Sequence, residues 1–214
     1  MQTIRQYYQH SRTEMLAFIP PGVNRTLEIG CGTGGFSAQL KDAGNAETWG
    51  VEYQPEAAAV AAKALNHVLT GSVEAALPQR PTHYFDCIIC NDVLEHLVDP
   101  YTVLMNLQPL LAHGGVLVAS IPNIRHWPEF VDYTLRGNWT YQHNGVLDRT
   151  HLRFFTRKSI IATLLQCDYE VMRIEGINPH YSRAQKIASA LSFGALTDTL
   201  YMQYAVVARP HKTH

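Results

Sequence analysis

Two rhythms of apolar and polar positions run along this chain, and the switches between them lay out its elements. Leu27 and Ile29 alternate with polar neighbours, four glycines then fall within six positions, and residues 36–40 return to helical spacing. Alternation marks a strand and a 3.6-residue period a helix, so this stretch predicts a strand, a tight glycine turn and a helix. The same reading predicts a second strand over 48–52 and an Ala-rich helix over 55–65 opened by Pro55. Further strands are expected at 67–70, 84–90, 116–122, 168–174 and 202–208. Helices are expected at 101–111, closed by His113-Gly114-Gly115, and at 157–167. Strands alternating with helices predict a mostly parallel sheet with helices on both faces. At the front, Ile4, Tyr7, Tyr8, Met15, Phe18 and Ile19 suggest a helix over 1–19 that lies over a ligand or packs on the sheet. Near the end, Ala184, Ile187, Ala188 and Leu191 form a stripe within 182–194, a packing face first and a lid or dimer surface second.

Composition narrows the class. The chain has 214 residues, 46% of them hydrophobic, and a formal net charge of −1. That length suits a single domain over 1–214, with ample material for a core. A clustered excess of Lys and Arg is missing, so no nucleic-acid partner is expected. No apolar run approaches the length that spans a bilayer, and residues 1–10 have no hydrophobic leader core. The expectation is a cytoplasmic protein acting on a small molecule, as monomer or homodimer. Cys87 and Cys90 form C-x-x-C inside a strand, where residues three apart face opposite sides, so they read as buried structural thiols. No metal ligand set is expected.

The glycine turn carries the first chemistry. Gly30, Gly32 and Gly35 satisfy G-x-G-x-x-G, and glycines let a ligand approach the backbone. Behind them, a helix N-terminus offers free N–H groups. Glu28 lies two residues before the first glycine. A carboxylate there repels a pyrophosphate and attracts an ammonium or sulfonium. Glu52 ends the second strand 22 residues beyond Gly30, near the spacing at which one carboxylate accepts from both hydroxyls of a ribose. A solvated surface acid is the alternative there.

The run Leu27-Glu28-Ile29-Gly30-Cys31-Gly32-Thr33-Gly34 resembles the first motif of class I S-adenosylmethionine-dependent methyltransferases. So does Asn91-Asp92-Val93-Leu94-Glu95-His96-Leu97 at the end of the fourth strand. The resemblance covers nearly the whole chain and implies seven strands with the last antiparallel. It implies S-adenosyl-L-methionine as cofactor, held by Glu28, Gly30, Gly32, Gly34, Glu52, Tyr53, Ser72, Val73 and Asn91. Ser72 stands where an acid is usual and would meet the adenine amine, with Val73 against the ring and Asn91 near the methionine moiety. His96 either lines the acceptor pocket or is a partly buried helix histidine bonded to backbone.

Residues 122–156 exceed an ordinary loop and read as an acceptor-side insertion. They hold Trp127 and Tyr141 as candidate acceptor contacts. Over 122–158 six basic residues stand against three acids, with Arg149 and Arg153 as candidate phosphate ligands. The run Gly145 to Thr156 resembles bacterial methyltransferases associated with surface-glycan and secondary-metabolite synthesis. A hydroxyl acceptor must lose its proton, so His151 is the candidate base, oriented by Asp148. The alternative is a hydrogen-bonded structural turn. The expected activity is methyl transfer to an oxygen of a sugar, nucleotide sugar or other metabolite. Its rivals are an NAD(P)-dependent dehydrogenase and a catalytically silent cofactor-binding subunit of a partner enzyme.

Overall fold

The computed structural model describes residues 12–44 and 46–211. Seven strands form one sheet: β1 (Arg25–Ile29), β2 (Glu47–Glu52), β3 (His67–Thr70), β4 (Phe85–Asn91), β5 (Leu111–Pro122), β6 (Tyr169–Pro179) and β7 (Tyr201–Pro210). Their order is β3-β2-β1-β4-β5-β7-β6. The five strands β1–β5 pair in parallel, and β7 runs antiparallel to both β5 and β6. The helices are α1 (Gly35–Gly44), α2 (Pro55–Ala61), α3 (Val73–Ala76), α4 (Pro100–Leu107), α5 (Trp127–Arg136), α6 (Arg157–Gln166) and α7 (Arg183–Leu191).

The central strands are apolar on both faces because both are covered. On one side Leu27, Ile29, Ile88 and Leu117 meet Leu104 and Leu107 of α4 and Ile160 and Leu164 of α6. On the other, Cys87, Ile89 and Val118 meet Phe36 and Leu40 of α1. Cys90 belongs to the first cluster and Cys87 to the second, so the C-x-x-C pair does point to opposite faces. All four cysteines are free and buried. No helix among the described residues is long and apolar enough to cross a membrane.

Several boundaries differ from the sequence reading. The helix expected over 1–19 falls largely outside the described residues, and its described end, Thr13–Phe18, is a 3-10 turn with Met15 and Phe18 in the core. His113-Gly114-Gly115 does not close a helix. It lies inside β5, where the register shifts between Phe85 and Cys87 of β4. A Cβ on Gly115 would stand 2.8 Å from the Phe85 carbonyl, so the bare backbone permits this bulge. β6 runs on to Pro179 because Glu175 to Pro179 pair with β7. The expected packing stripe on α7 is not packed: Ile187 and Leu191 are exposed and only Ser189 of the helix is buried. The insertion between β5 and α6 contains α5 and two isolated bridges, Asn123 to Phe155 and Gln142 to Asp148.

Candidate active site

The glycine turn sits where β1 ends, at the carboxyl edge of the parallel strands. The N–H groups of Gly30 and Cys31 both donate to the Val51 carbonyl (2.8 and 3.1 Å), which fastens the turn to β2. Gly30, Gly32 and Gly34 have φ of 67, 54 and 82°, the left-handed region that favours glycine. Two of them also leave room for the protein itself. A Cβ on Gly30 would lie 2.8 Å from Val93 Cγ2, and one on Gly34 3.2 Å from Ala61. Their side chains are missing so that the turn can pack on the β4 loop and on α2.

The two acids lie differently from the sequence picture. Glu52 is buried at 5% exposure; Gly32 N–H donates to its Oε2 and Gln54 N–H to its Oε1, each at 2.8 Å. It is a bridge that shapes the turn as well as a strand-end acid. Each carboxylate oxygen keeps a second lone pair for a ribose hydroxyl. Glu28 lies beneath the turn and accepts from Ser37 Oγ at 2.6 Å. Burial pushes its carboxyl up to about 7; Ser37 opposes the rise and the charge of Glu52 adds to it.

Of the remaining expected cofactor contacts, Tyr53 is 69% exposed beside Glu52. Ser72 serves as N-cap of α3, accepting from Ala75 N–H at 3.4 Å, and Val73 is buried in the main core. Both stand at the start of α3, and the Ser72 hydroxyl keeps its proton and a second lone pair beside this bond. Asn91 ends β4 with both amide atoms buried and unpartnered. Buried polar atoms in folded proteins are almost always satisfied, so this amide calls for a polar ligand. With the turn, Glu52 and Asn91 along one edge, the residues fit a nucleoside joined to an amino-acid moiety.

The acceptor side is built from the segment after β4 and the insertion. Asp92, with φ of 53°, is paired with Arg12 and accepts from Ser120 Oγ (3.1 Å) and Gln203 Nε2 (2.7 Å). Three residues on, Glu95 is 1% exposed and neither carboxylate oxygen has a partner. Burial lifts its carboxyl to about 8. Its own carbonyl accepts from the N–H groups of Leu152 (2.8 Å) and Arg153 (3.0 Å), which stitches the insertion to this loop. The imidazoles of His96 and His151 stand beside it, edge to face, with centroids 4.8 Å apart. His96 Nδ1 lies 3.2 Å from the Thr150 carbonyl, and His151 Nδ1 lies 2.9 Å from the Val146 carbonyl. A carbonyl only accepts, so both Nδ1 atoms carry the proton and both Nε2 atoms keep a lone pair. Burial, followed by the nearness of His151, lowers the pKa of His96.

Asp148 does not orient the ring of His151. Its Oδ1 accepts from Thr150 N–H (2.8 Å) and Thr150 Oγ1 (2.7 Å), closing a turn, while the Val146 carbonyl holds the histidine. Arg149 and Arg153 are not gathered into the cluster either: Arg149 approaches His143 at 3.3 Å, and Arg153 donates to the Val98 carbonyl. Tyr141 and Trp139 lean on Phe154, which also faces His151, forming an aromatic wall. Trp127 begins α5, partly buried. The sequence reading missed Glu95, although a charge inside Val93-Leu94-Glu95-His96-Leu97 is the signal that could have found it. His126, also in the insertion, has Nδ1 2.7 Å from Glu129 Oε2 while its Nε2 is buried without a partner. A separate cavity of about 940 Å³ opens beside β7, lined by Arg125, Phe130, Arg157, Lys158, Asp198 and Tyr201.

Comparison with known proteins agrees with this geometry. Among curated relatives, a ubiquinone biosynthesis O-methyltransferase of Burkholderia vietnamiensis is 26% identical over 161 residues, covering 73% of this chain and 68% of that protein. A protein of the same name from Nitrosomonas europaea is 30% identical over 106 residues, 45% of this chain and 43% of that protein. Among solved structures, a SAM-dependent methyltransferase from Archaeoglobus fulgidus superposes with a TM-score of 0.65 at 19% identity, covering 96% and 94% of the two chains. One from Thermotoga maritima, titled a possible histamine N-methyltransferase, has the same TM-score at 18% identity, covering 96% and 90%. The model of a methyltransferase domain family matches residues 1–174, and with the strand order and cofactor edge described above the chain belongs to the S-adenosylmethionine-dependent methyltransferases.

Proposed function

We propose that this enzyme transfers the methyl group to an oxygen of a small polar acceptor: a sugar, a nucleotide sugar or a related metabolite. The observation that carries this reading is the buried, unpartnered carboxylate of Glu95 beside His96 and His151, on the loop that follows Asn91. An amine acceptor already offers a lone pair once neutral, whereas a hydroxyl must give up its proton. A largely buried cluster of one carboxylate and two imidazole lone pairs suits that task. The names of the curated relatives, which specify oxygen, support the same choice. The aromatic wall of Trp139, Tyr141 and Phe154 supports an acceptor with flat carbon-rich faces.

In this reading Glu52, the glycine turn and Asn91 hold the cofactor, with Glu28 shaping the turn from below. When bound, S-adenosylmethionine supplies a methyl carbon on a sulfonium, already a good leaving group. The chain would have to hold the acceptor oxygen in line with that carbon, an alignment that supplies about 7–11 kcal/mol of barrier reduction in well-oriented systems. The Glu95–His96–His151 cluster would draw the proton from the acceptor hydroxyl, so that its oxygen could take the methyl group the bound sulfonium would supply.

The test is release of S-adenosylhomocysteine across sugar, nucleotide-sugar, phenol and amine acceptors, with the product mapped by NMR. Oxygen methylation is expected. Turnover restricted to amines would overturn the reading. Calorimetry should show S-adenosylhomocysteine binding and no comparable binding of NAD or NADP.

A further inference from the structure

We infer that Glu95, His96 and His151 form a binding site for one divalent transition-metal ion, with zinc the ion their donors suit best. Their ligand atoms lie within 4.8 Å of one another. Tetrahedral metal bonds of about 2.0–2.2 Å place ligand atoms roughly 3.3–3.6 Å apart, so movements of under about 1 Å by each side chain close the set. Two independent features point the same way. Glu95 is buried with both oxygens lacking any donor, an arrangement that a cation would satisfy. Both imidazoles have Nδ1 committed to a backbone carbonyl, of Thr150 and Val146, which aims the Nε2 lone pairs outward from those anchors. Holding the far nitrogen of a histidine in this way is the usual support of a metal ligand.

Two imidazoles and one carboxylate suit zinc and its first-row neighbours over magnesium or calcium, which prefer oxygen. Three protein ligands leave a position open, as in sites that act on a bound oxygen rather than only brace a fold. Resting on the oxygen-acceptor reading, the open position is where the acceptor hydroxyl binds. There its proton is lost to solvent more readily, leaving the oxygen to attack the methyl carbon. His151 is then a ligand and not a base.

The full chain, stripped with chelator, is titrated with Zn²⁺ by calorimetry and with Co²⁺ by visible absorption. One equivalent should bind, with Co²⁺ giving the intense bands of a low-coordinate site. Glu95→Gln and His151→Gln should each weaken binding by at least about 100-fold. Both variants must still bind S-adenosylhomocysteine, which shows that they are folded. His83→Gln and His113→Gln, at exposed histidines away from the cluster, should change nothing. Absence of a stoichiometric site, or affinity unaltered in both cluster variants, would overturn the inference. Metal binding without oxygen methylation would leave the site standing and remove the acceptor reading; oxygen methylation by a protein that binds no metal would do the reverse.

Discussion

Glu52 shows how much one side chain does at this edge. It accepts from Gly32 and Gln54, and in the proposed cofactor site it would also accept from the ribose hydroxyls. Removing it therefore acts twice. Glu52→Ala should weaken S-adenosylhomocysteine binding by about 1–3 kcal/mol, the scale of lost hydrogen bonds to a charged group, and should lower the melting temperature as well. Calorimetry and thermal melts on one preparation check both, and unchanged affinity would make the acid purely structural. Glu28 gives a pH signature. Its carboxyl, ordinarily at 4.5, is lifted to about 7 chiefly by burial. Between those values the folded chain holds a proton that the unfolded chain has released, so stability falls as pH rises through the window. The fall is at most about 3 kcal/mol, and the contribution is level on either side. Glu28→Gln should remove the Glu28 share of this slope and leave the share of Glu95, whose carboxyl burial lifts to about 8. Denaturant midpoints of both proteins from pH 4 to 8, without cofactor, test it, and parallel curves would refute the shift.

At the level of elements, the β1 turn and the insertion carry distinct duties. Gly30→Ala meets both a left-handed backbone and the Val93 methyl at 2.8 Å. The backbone term alone is about 1–2 kcal/mol, so a clear fall in unfolding midpoint is expected together with weaker cofactor binding. A neutral Gly30→Ala would mean that the β4 loop yields. In the insertion, Trp139 is 38% exposed and touches Phe154 and Tyr133 rather than the cofactor edge. If the proposed aromatic wall faces the acceptor, Trp139→Ala should raise KM for the acceptor several-fold while leaving S-adenosylhomocysteine affinity unchanged. Equal loss for both ligands would place the wall differently. The alternation of apolar positions made these elements legible from sequence, since burial on sheet faces imposes period 2 and helix packing 3.6. The β5 bulge escaped because His113-Gly114-Gly115 carries the same local signal whether it ends a helix or bends a strand.

Across the whole molecule, stability is concentrated between the sheet and its two helix layers. Leu104 is fully buried between α4 and the sheet, while Phe193 after α7 is fully exposed. Leu104→Ala should cost about 2–5 kcal/mol and Phe193→Ser about 0.5 kcal/mol or less, measured by chemical denaturation. Comparable losses would mean that the apolar surface around α7 is covered in solution.

The amino-acid sequence by itself determined the class: a glycine turn between strand and helix, acids at the ends of β1 and β2, and five strand–helix alternations suffice for a parallel sheet with a cofactor edge. These signals are local, a few residues long, and survive without knowing what packs on what. Only the tertiary structure decided which side chains meet. Asp148 and His151 are three apart and look like a dyad, yet the turn sends the carboxylate to Thr150 and leaves the ring to the Val146 carbonyl. Glu95 and His151 lie 56 residues apart and become neighbours because the Glu95 carbonyl accepts from Leu152 and Arg153. Whether a buried carboxylate has a partner depends on every element packed around it, and no stretch of sequence contains that information.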